Sequence, residues 1–416
     1  MPVQPNTPGN HAARRVQNYH YAILNLAALA EESAAAGKPV TSLNIGDPTL
    51  YGFHPPPALT EACITALREG CNSYTSSCGI ATAREAISHE ASERRIATSA
   101  EEIIITSGAT EAADLLCTAI LNPGDEVLCP SPGYPLYTAL VARQEAVSVP
   151  YRLDPGNNWL PDPEEIERLI TPRTKLLIVI NPNNPTGALY PPELLASIAE
   201  TARRNNLVCL ADEVYRKLLY SGSHHPFASF AGNDLPVCTL ESLSKNFMVP
   251  GWRTGWMTMT NSRLIPDIRR ALRKLADARV CAPAAPQFAI PEALSLGNDY
   301  LLPVLEKLRV RRDLTVRMIN GIEGLSCSNP EGAFYVMAKL DMSLYPFASD
   351  EEFIVELLRK KRILFVHGSG FGMQPREGYF RIVYLPDPLT LDMVYHDLYD
   401  FLLHCRHHSG SIRQQL

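Results

Sequence analysis

Two neighbouring stretches of this chain carry side chains able to combine covalent and electrostatic chemistry. Ser242-Leu243-Ser244-Lys245 is followed by Val249-Pro250-Gly251-Trp252-Arg253, which sets one lysine eight residues before an arginine. A lysine amine condenses with carbonyl groups to give a Schiff base, and needs a sheltered site to do so near neutral pH. Arginine offers a forked, permanently charged grip suited to a phosphate, and Ser242 could share that task. Alone, Ser-x-Ser-Lys is usually a surface turn with a solvated lysine. The surrounding sequence has to decide.

Further residues of the same kind recur along the chain. Ser107-Gly108-Ala109-Thr110 follows the apolar run Ile103-Ile104-Ile105; the glycine permits a tight turn, and a helix is expected to begin near Thr110. Backbone N–H groups there, with the threonine hydroxyl, suit a phosphate, and an ordinary N-cap is the alternative. Tyr134, after Ser131-Pro132-Gly133, could stack on a planar heterocycle. Asn181-Pro182-Asn183-Asn184-Pro185-Thr186-Gly187 is first of all a turn, but its two X-Pro bonds could fix one Asn amide as a donor to a ligand oxygen. In Ala211-Asp212-Glu213-Val214-Tyr215, the aspartate could hold a protonated ring nitrogen and keep that ring an electron sink. Tyr215 could reach a ring hydroxyl; an Asp capping the next helix is the bland reading. Arg381, in Phe380-Arg381-Ile382-Val383, is a charge inside an apolar strand. It needs a partner, either a substrate carboxylate or an internal salt bridge.

These residues must be positioned by something regular. Short apolar runs predict strands at Glu102–Thr106, Glu126–Cys129, Val147–Tyr151, Lys175–Ile180, Leu207–Ala211, Val237–Glu241 and Gly255–Thr260. Amphipathic stretches such as Glu193–Arg204 lie between most of them. That alternation predicts an α/β fold with a mainly parallel seven-stranded sheet sandwiched by helices. Beyond residue 300 the pattern becomes α+β: a long helix at Tyr300–Ile322, strands at Ala333–Leu340, Ile363–Val366 and Tyr379–Leu385, and helices at Asp350–Lys360 and Leu389–Cys405. The expected division is a large domain over 56–300 and a smaller one built from 1–55 and 301–416. Ligands of open α/β sheets bind at the carboxyl ends of strands. The candidate residues fall there.

Composition bounds the function. The 416 residues allow two packed lobes, and 38 basic against 44 acidic residues, with no Lys/Arg block, point away from nucleic acid and anionic membranes. Ten cysteines without a C-x-x-C pair read as reduced thiols, neither a disulfide framework nor a zinc site. No run approaches the roughly 18 apolar residues of a membrane span, and the start of the chain lacks an apolar signal core. A cytoplasmic protein without a metal is expected.

In this order the motifs resemble the fold-type I pyridoxal-phosphate aminotransferases of class I/II, from about Tyr19 to Phe401. Leu43-Asn44-Ile45-Gly46-Asp47-Pro48, Asn181–Tyr190, Phe365-Val366-His367-Gly368-Ser369-Gly370-Phe371-Gly372 and Phe380-Arg381 look most like the alanine aminotransferase branch. Tyrosine aminotransferases share Ile45-Gly46-Asp47-Pro48-Thr49 and Val249–Arg253. The resemblance implies that Lys245 carries pyridoxal 5'-phosphate as a Schiff base and that Asp212 pairs with its pyridine nitrogen. It further implies Asn184 and Tyr215 at the ring hydroxyl, Tyr134 stacked on the ring, and Ala109, Thr110, Ser242 and Arg253 at the phosphate. Arg381 would take the substrate α-carboxylate, helped by the Gly46 backbone and Asn184. Tyr74 matches the tyrosine such enzymes lend to the phosphate of a neighbouring subunit, which implies a homodimer with shared sites. The implied reaction moves an amino group between an amino acid and a 2-oxo acid, alanine with 2-oxoglutarate first. Aromatic and aspartate substrates, and C–S lyase chemistry on the same lysine, are the alternatives. Tyr21-Ala22-Ile23 is followed by Leu24, where the alanine branch often carries an arginine in its active-site lid. Arg279 lies near where aspartate aminotransferases place an arginine for a distal carboxylate.

Overall fold

The computed structural model describes residues 13–17, 37 and 39–413. The first strand, β1 (Thr41–Ser42), belongs to the far end of the chain in space. The large sheet is built from β2 (Ile103–Thr106), β3 (Glu126–Ser131), β4 (Val147–Asp154), β5 (Leu160–Pro161), β6 (Thr174–Ile180), β7 (Val208–Asp212), β8 (Val237–Ser242) and β9 (Gly255–Thr260), in the order β2-β9-β8-β7-β6-β3-β4-β5. Strands β8, β7, β6, β3 and β4 run parallel, while β9 is antiparallel to both of its neighbours. All of β7, β8 and β9 is buried, which is why these segments read as continuous apolar runs instead of alternating ones. The helix Pro192–Arg204 shows the matching one-sided pattern, burying Leu195, Ile198, Ala199 and Ala202 against the sheet.

All seven expected strands are present. The eighth, β5, is an addition: two residues that close the edge antiparallel to β4, Leu153 opposite Pro161. A two-residue strand ending in proline carries no periodic signal.

The smaller sheet is antiparallel, in the order β10 (Leu325–Cys327), β11 (Tyr335–Leu340), β14 (Tyr379–Val383), β13 (Val366–His367). The stretch expected as one strand at Ile363–Val366 is in fact two. Strand β12 (Ile363–Leu364) pairs in parallel with β1, Thr41 opposite Ile363, while β13 pairs with β14. The chain changes partner at Phe365, and one run serves two sheets. Leu43 continues the stitch, donating to Leu364 O and accepting from Val383 N. The long helix begins at Leu302, after a 3-10 turn at Asp299–Leu301, and the last helix runs over Pro388–Arg413. No described helix is long and apolar enough to cross a membrane.

Candidate active site

The strand ends of the large sheet and the two inner strands of the small one line a cavity of about 270 Å³. Gly46 reaches it from beyond β1, Ala109 and Thr110 from beyond β2, and Tyr134 from beyond β3. Asn184 follows β6, Asp212 and Tyr215 close β7, Ser242 and Lys245 follow β8, Arg253 precedes β9, and Arg381 comes from β14. Residues 335 positions apart in sequence therefore face one space. Tyr74 does not join them within the chain: it is 85% exposed. Leu24 lies outside the described residues.

At the centre, Lys245 Nζ donates to Gly46 O at 2.6 Å. Burial lowers its pKa to about 8; Asp47 opposes that shift, and Arg253 and Arg381 add to it. A substantial fraction of this amine is thus neutral and nucleophilic slightly above neutral pH. Asp212, 6% exposed, accepts from Tyr137 Oη at 2.5 Å and from Val214 N at 3.2 Å. Burial raises its carboxyl above the usual range, and those two hydrogen bonds pull it back. The Val214 bond is a local turn contact; no helix begins here for Asp212 to cap.

The helix Gly108–Ile120 brings Ala109 and Thr110 of its first turn to the cavity with no side-chain cap, since Ser107 makes none. Its leading N–H groups lack intrahelical partners, which is the usual condition for anion binding. Arg253 lies across that helix start, donating to Pro250 O at 3.1 Å and Ser107 O at 3.4 Å. Gly108 has φ +76°, and a Cβ there would come within 2.5 Å of Arg253 Nη2. Only glycine leaves room for the guanidinium.

Arg381 is 2% exposed and donates to Asn184 Oδ1 at 2.9 Å and to Asn44 O. Its guanidinium lies 4.5 Å from the ring centroid of Tyr335 and 4.7 Å from that of Phe371. Two guanidiniums, an amine and a carboxylate thus line one cavity. Arg279 is occupied elsewhere: it donates to Ser77 O and Ile105 O and pairs with Glu111 at 3.3 Å. Among the described residues no cluster of His, Cys, Asp or Glu could hold a metal ion.

Four polar lining residues escaped the reading by strand ends: Asn44, Tyr137, Ser244 and Tyr335. Tyr137 lies one helical turn beyond Tyr134 and Ser244 adjoins Lys245, so both were findable from spacing. Tyr335 opens a strand of the other sheet, and nothing local marks it.

A family profile described as aminotransferase class I and II matches residues 38–397. The chain belongs to that family. The protein is 38% identical, over 358 residues, to the glutamate-pyruvate aminotransferase AlaA of Haemophilus influenzae, covering 84% of this chain and 87% of that one. It is 35% identical to the alanine aminotransferase of Mycobacterium tuberculosis, covering 89% and 87% respectively. Among solved structures, an alanine aminotransferase from Pyrococcus furiosus superposes with a TM-score of 0.91 at 37% identity, over 95% of this chain and all of that one. This aminotransferase accordingly acts on an amino acid and a 2-oxo acid.

Proposed function

We propose that the enzyme moves the amino group between alanine and 2-oxoglutarate with pyridoxal 5'-phosphate bound at Lys245. One observation carries this reading: the Lys245 amine, the Asp212 carboxylate, Arg253 and Arg381 line the same cavity. The donor set fits the cofactor. The uncapped helix start and Arg253 suit a phosphate dianion, and Gly108 makes room for that pairing. The buried acid suits a ring nitrogen that carries a proton, and Asn184 and Tyr215 offer polar atoms for a ring oxygen. Bound there, pyridoxal phosphate supplies a conjugated electron sink for the pair released when a Cα–H bond breaks.

The chain's own residues do the rest. Arg381 grips the α-carboxylate, which fixes the substrate and so the direction of its Cα–H bond. Lys245, set free when the substrate's amino group takes its place and with its pKa lowered to about 8, would carry the proton away from Cα and return one on the reverse half of the cycle. Asp212 keeps a negative charge beside the ring nitrogen, and Tyr137 holds that carboxylate in place. Tyr74, exposed on the single chain, belongs at the phosphate of a second copy in a homodimer. The same reading divides the chain into 56–300 and a smaller unit of 1–55 with 301–416; the pairing of Thr41–Ser42 with Ile363–Leu364 supports it.

Lys245→Ala should abolish amino transfer and the visible absorbance of bound cofactor; a variant that keeps both at the normal level refutes the assignment. Substrate choice is read from half-reactions, each amino acid added alone while the cofactor spectrum is followed. Alanine and glutamate should convert the spectrum fastest, ahead of aspartate and tyrosine. Pyruvate and ammonia released from cysteine conjugates without a 2-oxo acid acceptor would indicate the lyase instead.

A further inference from the structure

Tyr335 touches three parts of the site that the sequence delivers separately. Its hydroxyl lies 2.7 Å from that of Tyr215. Its ring centroid lies 4.5 Å from the Arg381 guanidinium. A Cβ built on Gly46 would fall 2.2 Å from the Tyr335 hydroxyl, so the phenol abuts the residue whose carbonyl receives Lys245. Tyr335 is 3% exposed, and the strand it opens is pinned just before it, where Ala333 N donates to Leu218 O. The phenol is held from both sheets.

We infer that Tyr335 is a positioning residue with two separable tasks. Its hydroxyl aims the Tyr215 hydroxyl at the cofactor's ring oxygen, and its ring face holds Arg381 ready for the substrate carboxylate. The inference rests on the reading above that Tyr215 lies beside that oxygen. Each phenol has one proton to give and can also accept, so two facing hydroxyls can be ordered in either direction. A negatively charged ring oxygen claims the Tyr215 proton, and Tyr335 must then donate to the Tyr215 oxygen. Hydrogen bonds chained in this way polarise one another. Burial supports the neutral state that both donors need, pushing Tyr335 up to about 12 and Tyr215 further. The ring task is electrostatic. A guanidinium over an aromatic face is stabilised by the ring quadrupole, more so where water is excluded.

The test uses the cofactor-loaded enzyme and two readouts besides turnover. One is the pH midpoint of the visible absorbance change at the Lys245-bound nitrogen. The other is the dissociation constant for propionate, a carboxylate with no amino group to react. The charged and titratable groups facing Lys245 and the tyrosine pair are Asp47, Arg253, Arg381 and Tyr134, and all are retained in every variant. Losing the Tyr335 hydroxyl leaves more negative charge on the ring oxygen. The neighbouring nitrogen then holds its proton more tightly, and the midpoint rises. Tyr335→Phe should therefore shift the midpoint in the same direction as Tyr215→Phe, by a smaller amount, with propionate affinity within about twofold of wild type. Tyr335→Leu should shift the midpoint and also weaken propionate binding by about three- to thirtyfold. Should the leucine variant not fold, Tyr335→Met takes its place with the same readings.

A midpoint moved by Tyr215→Phe and untouched by Tyr335→Phe overturns the hydroxyl task alone. Unchanged propionate affinity in the leucine or methionine variant overturns the ring task. Wild-type enzyme with no visible band at all would instead sink the cofactor reading itself.

Discussion

Lys245 shows how much of a residue's chemistry is set by its surroundings. Its amine is brought to about 8 chiefly by burial, against the pull of Asp47 and with Arg253 and Arg381 reinforcing the shift. Only the neutral amine attacks a carbonyl, so cofactor-free enzyme should take up pyridoxal phosphate covalently faster as pH rises, with a midpoint near 8. Stopped-flow absorbance across pH 6–9.5 checks this, and a flat profile would contradict the burial argument. The identities of Lys245, Asp212 and Arg381 were legible in the sequence because each is a charge beside or within an apolar strand, where an unpartnered charge is costly. Tyr137 and Tyr335 were not legible. A tyrosine in an apolar stretch is ordinary core, and only the folded chain reveals that these two spend their hydroxyls on Asp212 and Tyr215.

At the scale of elements, the contact between the helix Gly108–Ile120 and Arg253 depends on a missing side chain. Gly108→Ala combines a positive φ with a Cβ 2.5 Å from the guanidinium, and it should push Arg253 away from the helix start. We expect affinity for pyridoxal phosphate to fall about tenfold or more, with a correspondingly higher cofactor requirement in turnover assays. The strands themselves were readable from runs such as Leu176-Leu177-Ile178-Val179-Ile180, all buried. Their order was not, because β9 inserts between β2 and β8 by long-range pairing that leaves no local trace. The change of partner at Phe365 was hidden for the same reason: four apolar residues in a row look identical whether they serve one sheet or two.

Across the whole molecule, a buried charge cluster lies behind the site. Glu90, Glu213 and Glu241 face Arg94 and Arg216, three carboxylates against two guanidiniums. Glu241 and Glu90 have contacts to arginine of 2.9 Å or less, whereas Glu213 is 3.6 Å from Arg94 and retains the extra proton. Burial is the main cause, raising Glu213 to about 8, while the neighbouring His224 is pushed down to about 3 and stays neutral. The folded state therefore holds a proton that the unfolded chain releases between about pH 4.5 and 8, and over that window wild-type stability declines relative to a neutral side chain. Glu213→Gln should match wild type near pH 4.5, gain on it by the order of 1–3 kcal/mol by pH 8, and keep a constant lead above that. Urea unfolding at several pH values measures the difference. A constant difference between pH 5 and 8 would place the proton elsewhere.

The stitch between β1 and β12 also governs when the protein becomes competent during its own synthesis. All eight strands of the large sheet lie within residues 103–260, and they carry Thr110, Asp212, Lys245 and Arg253. Gly46 emerges from the ribosome early but has no strand to dock against until Ile363 and Leu364 follow, and Arg381 comes later still. The chain that forms the large sheet is thus complete more than a hundred residues before Arg381 can reach the shared cavity.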